Sequence, residues 1–431
     1  MEEGARSRPC DPLAVRILHV NKFLYRRGGA ESYMLDLAGL QAAAGHRVEF
    51  FGMAHPDNPP HRFAAQFPEY IQLEPPPARL AGRVAATTRM VWSPSARRGM
   101  DSVLEAFRPD VVHLHNIYHQ LSPSVLRPLA ERGIPAVMTL HDYKLVCPTY
   151  LFLSQGRVCE ACLDGHFRHA VARRCKDGSL GASAVLALES MAHRRVRAYD
   201  PVQVFICPSR FLAAKMAEGG VYPDRLELLP SFVDTRGLPP KIRPGGGIVY
   251  TGRLAHEKGV DTLVEAVGRL DAGRLEVVGD GPERARLEAL AAARAPGRVR
   301  FLGRVPRARV LELLRAAAVA VMPSRCHDNQ PMAVLEAFGC GVPVVATNLG
   351  GLPELLEGGC GITVPPEDPD ALARALGRLL ADPAAAAAMG WAARARAERD
   401  FLPDQHLAGL ERLYKRAAVS RTIVNGGQRS R

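Results

Sequence analysis

PSRCHDNQPMAVLEAFGCGVPVVA, Pro323 to Ala346, is the stretch around which the rest of the chain can be read. An apolar strand is expected just before it, at Val319–Met322, followed by a polar turn carrying Asp328, Asn329 and Gln330. Pro331 then stands where a first helical residue would, because its missing N–H costs nothing there. MAVLEAFG predicts a helix stopped by Gly339 and Gly341, and VPVVA reads as a new buried strand. Strand, polar turn, helix mouth and strand together suit a negatively charged ligand. Glu336 lies about five residues, or roughly 7.5 Å, into that helix, among Leu335, Ala337 and Phe338. Taken alone, it is either a snorkelling surface residue or a ligand contact.

The surrounding second half repeats one rhythm. GIVYTGRL predicts a strand, HEKGVDTLVEAVGRL a helix, RLEVVGDG a strand, PERARLEALAAA a helix and VRFLGRV another strand. Arg253 and Lys258 follow the first of these strands. One offers a planar fork and the other a mobile point charge, a natural pair for a diphosphate. Each alone reads as a solvated charge; together with VGDGP, the helix mouth and Glu336 they favour an anionic nucleotide site. A carboxylate at the depth of Glu336 suits a ribose diol. No GxxxxGK[ST] loop is present, which disfavours an ATPase or GTPase.

The first half has the same alternation. AVRILHVN (Ala14–Asn21) is an apolar strand, Gly28 and Gly29 open a helix reaching about Ala44, and RVEFF is the second strand. Those glycines serve either a tight turn or a backbone that approaches a substrate or phosphate. DVVHLHN sets His113 and His115 on one face of a strand. His141 and Asp142 end the strand of PAVMTLHDYKL, at the edge where parallel sheets bind ligands, which makes His141 the strongest histidine candidate. Ser209 is a plausible N-cap for the helix after VQVFICP. The breaker-rich run Gly237–Gly247 separates the halves, so two α/β domains with parallel sheets facing across a cleft are expected.

Apolar content of 47% and charged content of 23% fit a soluble globular protein of two or three domains in 431 residues. The net charge of +12 is compatible with nucleic acid, an acidic membrane surface or anionic small substrates. No nucleic-acid-binding motif is present, so a nucleic-acid partner is not expected. No signal peptide or membrane span is seen, which points to the cytoplasm and, through the basic patches, to peripheral contact at the inner membrane face. Cys147, Cys159, Cys162 and Cys175 are spaced C-x11-C-x2-C-x12-C. That spacing is compatible with a tetrahedral zinc site, with unbridged thiols lining a loop, or with a redox role. A reducing compartment argues against disulfides.

GGAE at Gly28–Glu31, LHD at Leu140–Asp142, GRL-x2-EKG at Gly252–Gly259, VGDGP, the Asp328–Glu336 pair at E-x7-E spacing and EAFGCGVPVVATNLGGLPEL resemble family 4 of the glycosyltransferases, over roughly Val15 to Leu410. The resemblance implies the GT-B fold, two Rossmann-like domains. It implies transfer of a hexosyl residue from a GDP- or UDP-linked sugar with retention of configuration and no required catalytic metal. The acceptor would be a glycan, a lipid-linked glycan or a small molecule, in cell-envelope or exopolysaccharide synthesis or, alternatively, natural-product glycosylation. A nucleotide-sugar epimerase and a non-catalytic carbohydrate-binding scaffold are the remaining alternatives.

Carried over by motif, Gly28 and Gly29 would contact donor phosphate and acceptor, and His141 would sit by the transferred sugar. Arg253 and Lys258 would neutralise the diphosphate, with Gly281 of VGDGP beside the donor. Glu336 would hold the ribose, and the segment Asn329, Gln330, Pro331, Met332, Ala333 and Val334 would meet phosphate and sugar. Asp328 departs from the glutamate usual in the family; one methylene shorter, it is where donor preference would differ. The expected organisation is a disordered leader over 1–14, a first domain over 15–236 with a cysteine insert at 147–175, and a linker at 237–247. A nucleotide-sugar domain over 248–395, a helix at 396–418 packing back on the first domain, and a disordered tail over 419–431 complete it.

Overall fold

In the computed structural model, which describes residues 14–73, 77–238 and 245–428, the strand–helix alternation builds two sheets of six strands each. The first contains β1 (Arg16–Val20), β2 (Arg47–Phe51), β3 (Val111–Leu114) and β4 (Ala136–Thr139). After β4 comes an antiparallel hairpin of β5 (Leu153–Ser154) and β6 (Arg157–Val158). β7 (Val204–Cys207) and β8 (Leu226–Leu228) then complete the first sheet, in the order β2-β1-β3-β4-β7-β8. β1 pairs in parallel with β2 and β3, and β3 with β4.

The second sheet holds β9 (Ile248–Thr251), β10 (Leu275–Val278), β11 (Val299–Gly303), β12 (Val319–Met322), β13 (Val344–Thr347) and β14 (Gly361–Val364). Its order is β11-β10-β9-β12-β13-β14 and every pair is parallel. Its strands are apolar runs because both faces are covered. Ile248, Tyr250, Leu275, Val277, Val319, Val321 and Val345 enter one core with the helices Val260–Gly268 and Pro369–Ala381. The alternate residues Val249, Val278, Ala320, Met322, Val344 and Ala346 enter a second core with Val334, Leu335 and Phe338 of the helix Met332–Gly339. Each fully buried valine or leucine contributes about 1.5–3 kcal/mol, so a one-residue slip in any central strand would exchange the two cores.

Strand order locates the ligand edge. Sequential strands run outward from β9 toward β11, and the chain then crosses back so that β12 lies on the other side of β9. The loops leaving the carboxyl ends of β9 and β12 therefore diverge, opening a crevice at this switch point. In the first sheet the corresponding point lies between β1 and β3.

The chain divides into two compact units. One comprises residues up to Thr139, Ala192–Phe205 and the chain from Leu410 onward; the other comprises Leu140–Met191 and Ile206–Gly409. The first sheet is drawn from Arg16 to Leu228, within the span 15–236 expected of the first domain, while the contacts of Leu140–Met191 group it with the second unit. The reason is local: the segments that follow β4 and β7 bond to the turn after β12, as set out below. The expected linker lies largely outside the described residues, as does the leader up to residue 13. The stretch Asp382–Ala417 carries two helices, Pro383–Asp400 and Pro403–Gln428, and the second covers most of the helix expected over 396–418. Helical backbone continues through Gln428, across most of the span expected to be a disordered tail.

Candidate functional site

The loops at the second switch point carry most of the residues singled out by sequence. A single 3-10 turn, His256–Lys258, follows β9 and presents Lys258. Lys258 Nζ donates to Asp328 Oδ1 at 2.6 Å, and Ser324 Oγ donates to Asp328 Oδ2. Burial works to lower the lysine pKa, but the Asp328 carboxylate more than offsets it and the net shift is upward, so Lys258 is a firm cation. Its ammonium has three donors, and the one spent on Asp328 leaves others for a phosphate. Arg253 is exposed, and its guanidinium has no hydrogen bond or ion pair among the described residues.

The turn after β12 is tied down at each residue. Ser209 caps the helix Arg210–Glu218 by accepting from Leu212 N, and its hydroxyl donates to Asn329 Oδ1 at 2.5 Å. Asn329 Nδ2 donates to Leu140 O at 3.2 Å, so the residue before His141 is joined to the residue after Asp328. Gln330 Oε1 accepts from Ser231 N. These two amide side chains hold the loop, and the backbone of the helix mouth is left for a ligand. Gly351 N donates to Asp328 O at 2.7 Å, and a Cβ on Gly351 would stand 1.9 Å from Asn329 O, so only glycine lets the two loops approach. Gly281 has a similar reason: a Cβ there would stand 2.2 Å from Leu254 O.

The helix Met332–Gly339 has Pro331 as its N-cap, so it begins one residue later than expected, and no side chain caps it. Its first-turn N–H groups at Met332 and Ala333 face outward from the helix start, where an anion is favoured, while Val334 N bonds Pro331 O. Glu336, largely buried on this helix, is held by Arg307 Nε at 3.2 Å. Sequence gave no local signal for Arg307, which lies 29 residues away. His141 lies two residues after β4; burial pushes its pKa down to about 4, so the ring is neutral.

Gly28 belongs to the other unit and caps the helix Gly29–Ala43 with an extended φ of −158°. That conformation does not require glycine, and a Cβ would stand 3.4 Å from Glu31 Oε2, an ordinary contact. In the same unit His19, His113 and His115 form the group of three potential metal ligands whose atoms lie within 4.8 Å of one another among the described residues. Their nitrogens are already engaged. His19 Nε2–H donates to Gln41 Oε1 at 2.7 Å and His19 Nδ1 faces His115 Nε2 at 3.0 Å. Gln41 Nε2 donates to Tyr414 Oη, Tyr414 faces His113 Nδ1 at 2.8 Å, and His113 Nε2 faces Thr139 Oγ1 at 2.7 Å. Burial lowers His19 to about 4. The arrangement is a buried chain of hydrogen bonds that ties the last helix to this sheet through Tyr414. Cys147, Cys159, Cys162 and Cys175 are free thiols.

Comparison with known proteins places the chain in a family. The family profile described as Glycosyl transferases group 1 matches residues 245–382, and that described as Glycosyltransferase Family 4 matches residues 27–236. The chain is 31% identical over 364 residues to 2-deoxystreptamine glucosyltransferase of Streptomyces kanamyceticus, covering 78% of this chain and 85% of the relative. It is 34% identical to a GDP-mannose-dependent phosphatidylinositol monomannoside mannosyltransferase of Mycolicibacterium smegmatis, covering 70% and 90%. In fold it is similar to sucrose-phosphate synthase of Thermosynechococcus elongatus (TM-score 0.71, 23% identity, 94% and 100% covered). An Anabaena protein solved with UDP and glucose is also similar (TM-score 0.63, 18% identity, 92% and 98% covered). The chain belongs to glycosyltransferase family 4 of the group 1 glycosyl transferases, and it is an enzyme that moves a sugar from a nucleotide diphosphate donor to an acceptor hydroxyl.

Proposed function

We propose that this enzyme transfers a hexosyl residue from a GDP- or UDP-linked donor with retention of configuration. The observation that carries the proposal is the meeting, at one switch point, of Lys258, Asp328 and an uncapped helix N-terminus. Arg253 and Lys258 stabilise the charge that develops on the departing diphosphate, the term that such a reaction needs most. The amides of Met332 and Ala333 add the helix dipole to the same charge. The bond from the anomeric carbon to the diphosphate oxygen breaks. The acceptor oxygen bonds to that carbon on the same face, and its proton passes to the leaving phosphate oxygen.

Neutral His141 offers the sugar a hydrogen bond without adding positive charge, and Asp328 holds a sugar hydroxyl while orienting Lys258. Glu336, steadied by Arg307, takes the ribose diol. Gly28, Gly29 and Gly281 keep the backbone roles that the family pattern gives them. No metal takes part in the chemistry.

A glycan or lipid-linked acceptor at the inner face of the membrane is the first reading, in a cytoplasmic enzyme; no described helix is long and apolar enough to cross a membrane. A small aminocyclitol acceptor is the second, supported by the 31% identity to two 2-deoxystreptamine transferases. The four thiols of the insert are read as a structural zinc site. The test is a panel of nucleotide sugars screened by thermal shift, then turned over with each acceptor class, with product configuration read by NMR. A product inverted relative to the donor overturns the proposal.

A further inference from the structure

Arg325 follows β12 closely, on the stretch that carries Asp328, and its side chain is 9% exposed. Nε donates to Glu367 Oε1 at 3.1 Å, and Nη1 donates to His256 O at 3.1 Å. Nη2 stands 2.8 Å from Asp261 Oδ1 and donates to Thr262 Oγ1 at 3.3 Å. Each nitrogen of the guanidinium therefore has a partner inside the protein. Unlike Arg253, this arginine is not held open for an anion; it is spent on joining segments.

Those segments meet around Lys258. His256 belongs to the turn that presents the lysine, and Asp261 and Thr262 lie in the first turn of the helix Val260–Gly268. Glu367 lies between β14 and the helix Pro369–Ala381. A planar fork bonds in several directions at once, which a lysine's point charge does not. The acid that faces the fork is itself fixed: Asp261 Oδ2 accepts from Arg286 Nη2 at 2.9 Å, and Oδ1 accepts from Thr262 N at 3.0 Å. Burial raises the Asp261 pKa, but Arg286 and Arg325 more than offset it and the net shift is downward, so a carboxylate faces the arginine.

The main chain makes the same connection. Arg325 N donates to Glu257 O at 2.9 Å, so this one residue holds the carbonyls of both residues that precede Lys258. Gly259, at φ +63°, passes so near Pro323 that a Cβ would stand 2.0 Å from Pro323 O. Beyond the turn, Lys258 Nζ bonds Asp328. The lysine is thus held at both ends, its backbone by residues 323–325 and its ammonium by Asp328. The Arg325 side chain extends that clasp to the helix and to the loop after β14. A lysine stem is flexible, and a fixed backbone removes much of that slack. Misplacing a group by about 1 Å at a reacting centre costs about 10²-fold in rate.

We propose that Arg325 is a positioning residue for sugar transfer: paired with Asp261, it fixes the turn His256–Lys258 and so places the Lys258 ammonium on the departing diphosphate. This rests on the role proposed for Lys258. Arg325 acts through the lysine and takes no part in the bonds that form and break.

The test is a double-mutant cycle on kcat. Arg325→Lys keeps the charge and loses the fork; it is expected to lower kcat about 10–100-fold with donor KM little changed. In a Lys258→Ala background the same substitution is expected to cost about twofold or less, because no ammonium is left to place. Equal losses in the two backgrounds mean that Arg325 acts independently of the lysine, and overturn the inference. Hydrogen exchange at the amides of Lys258 and Gly259, which bond Ala255 O and His256 O, is expected to speed up in Arg325→Lys. Should that variant fail to fold, Asp261→Asn, which loosens the grip on the guanidinium at constant size, runs the same cycle. It is expected to give a smaller loss of kcat that again vanishes in the Lys258→Ala background. Full kcat in a folded Arg325→Lys overturns the inference and leaves the reading of Lys258 standing. Full kcat in Lys258→Ala removes that reading, and the positioning role with it.

Discussion

Lys258 and Asp328, 70 residues apart in the chain, pair at 2.6 Å across the two loops that leave β9 and β12, strands that are neighbours in the sheet. Their side chains are 24% and 13% exposed, so solvent screens the pair only in part. The lysine that would face a diphosphate is therefore set by the acid that would face the sugar, and the two functions are coupled.

Replacing the lysine tests that coupling. Lys258→Ala is expected to lower kcat by about 10²–10³ and to destabilise by about 1–3 kcal/mol, because Asp328 loses its partner in a half-buried site. Steady-state kinetics and urea unfolding check both; full kcat would remove the lysine from its role.

Lengthening the acid tests donor selection. Asp328→Glu adds one methylene inside a loop pinned by Ser324, Gly351 and Lys258. A fall of about 10–200-fold in kcat/KM for the native sugar is expected, with a change in rank among sugars that differ at one hydroxyl. An unchanged ranking across the panel would place selectivity elsewhere.

Arg253 separates catalysis from stability. Its side chain has no ion pair or hydrogen bond among the described residues, so Arg253→Ala should leave Tm within about a degree while cutting kcat by about 10²-fold. A large Tm shift would point to a structural role.

Arg307 is the partner of Glu336 that the linear pattern hides. Arg307→Ala takes an ion-pair partner from Glu336, which is 17% exposed, but the arginine is 42% exposed and the screened pair contributes about 0.3–1 kcal/mol. A two- to fivefold rise in donor KM is expected by that estimate, against a larger rise for Glu336→Ala; equal effects would mean that Arg307 itself touches the donor.

Acid stability follows from the buried histidines. His19 titrates near 6.5 when unfolded and at about 4 when folded, because burial disfavours its charged form. Between those values the unfolded chain binds the extra proton, so stability is full above about pH 6.5 and falls as the pH drops toward 4. At pH 5 this one group costs about 2 kcal/mol. His19→Gln should flatten the decline in unfolding free energy between pH 7 and 5. Tyr414→Phe, which removes a hydroxyl bonded to Gln41 and facing His113, should cost about 1–3 kcal/mol at pH 7.

Much of the fold is legible in local pattern. Val319–Met322 and Arg47–Phe51 are strands with the expected bounds, because an apolar run between breakers admits few other conformations. His141 lies two residues beyond the carboxyl end of its strand, which stops at Thr139, and Ser209 does cap its helix. The short strands β8 and β14 escaped notice: the first is half-exposed, and the second starts at a glycine, so neither has a clear period. The uses of Asn329 and Gln330 were not legible either. A polar side chain in a turn reads the same whether it faces a ligand or a serine 120 residues away.

The sequence by itself determined two α/β halves, their strand–helix order and the loops on which the charged residues sit. Those follow from periods of two and 3.6 residues and from breakers, which act within a few residues of chain. Only the tertiary structure decided the partners: Lys258 with Asp328, Glu336 with Arg307, Ser209 with Asn329, Arg325 with Asp261. It also decided that Leu140–Met191 groups with the second half and that the chain from Leu410 returns to the first unit. Strand order brings distant loops to one edge, and a hydrogen bond depends on that separation in space, whatever the distance along the chain.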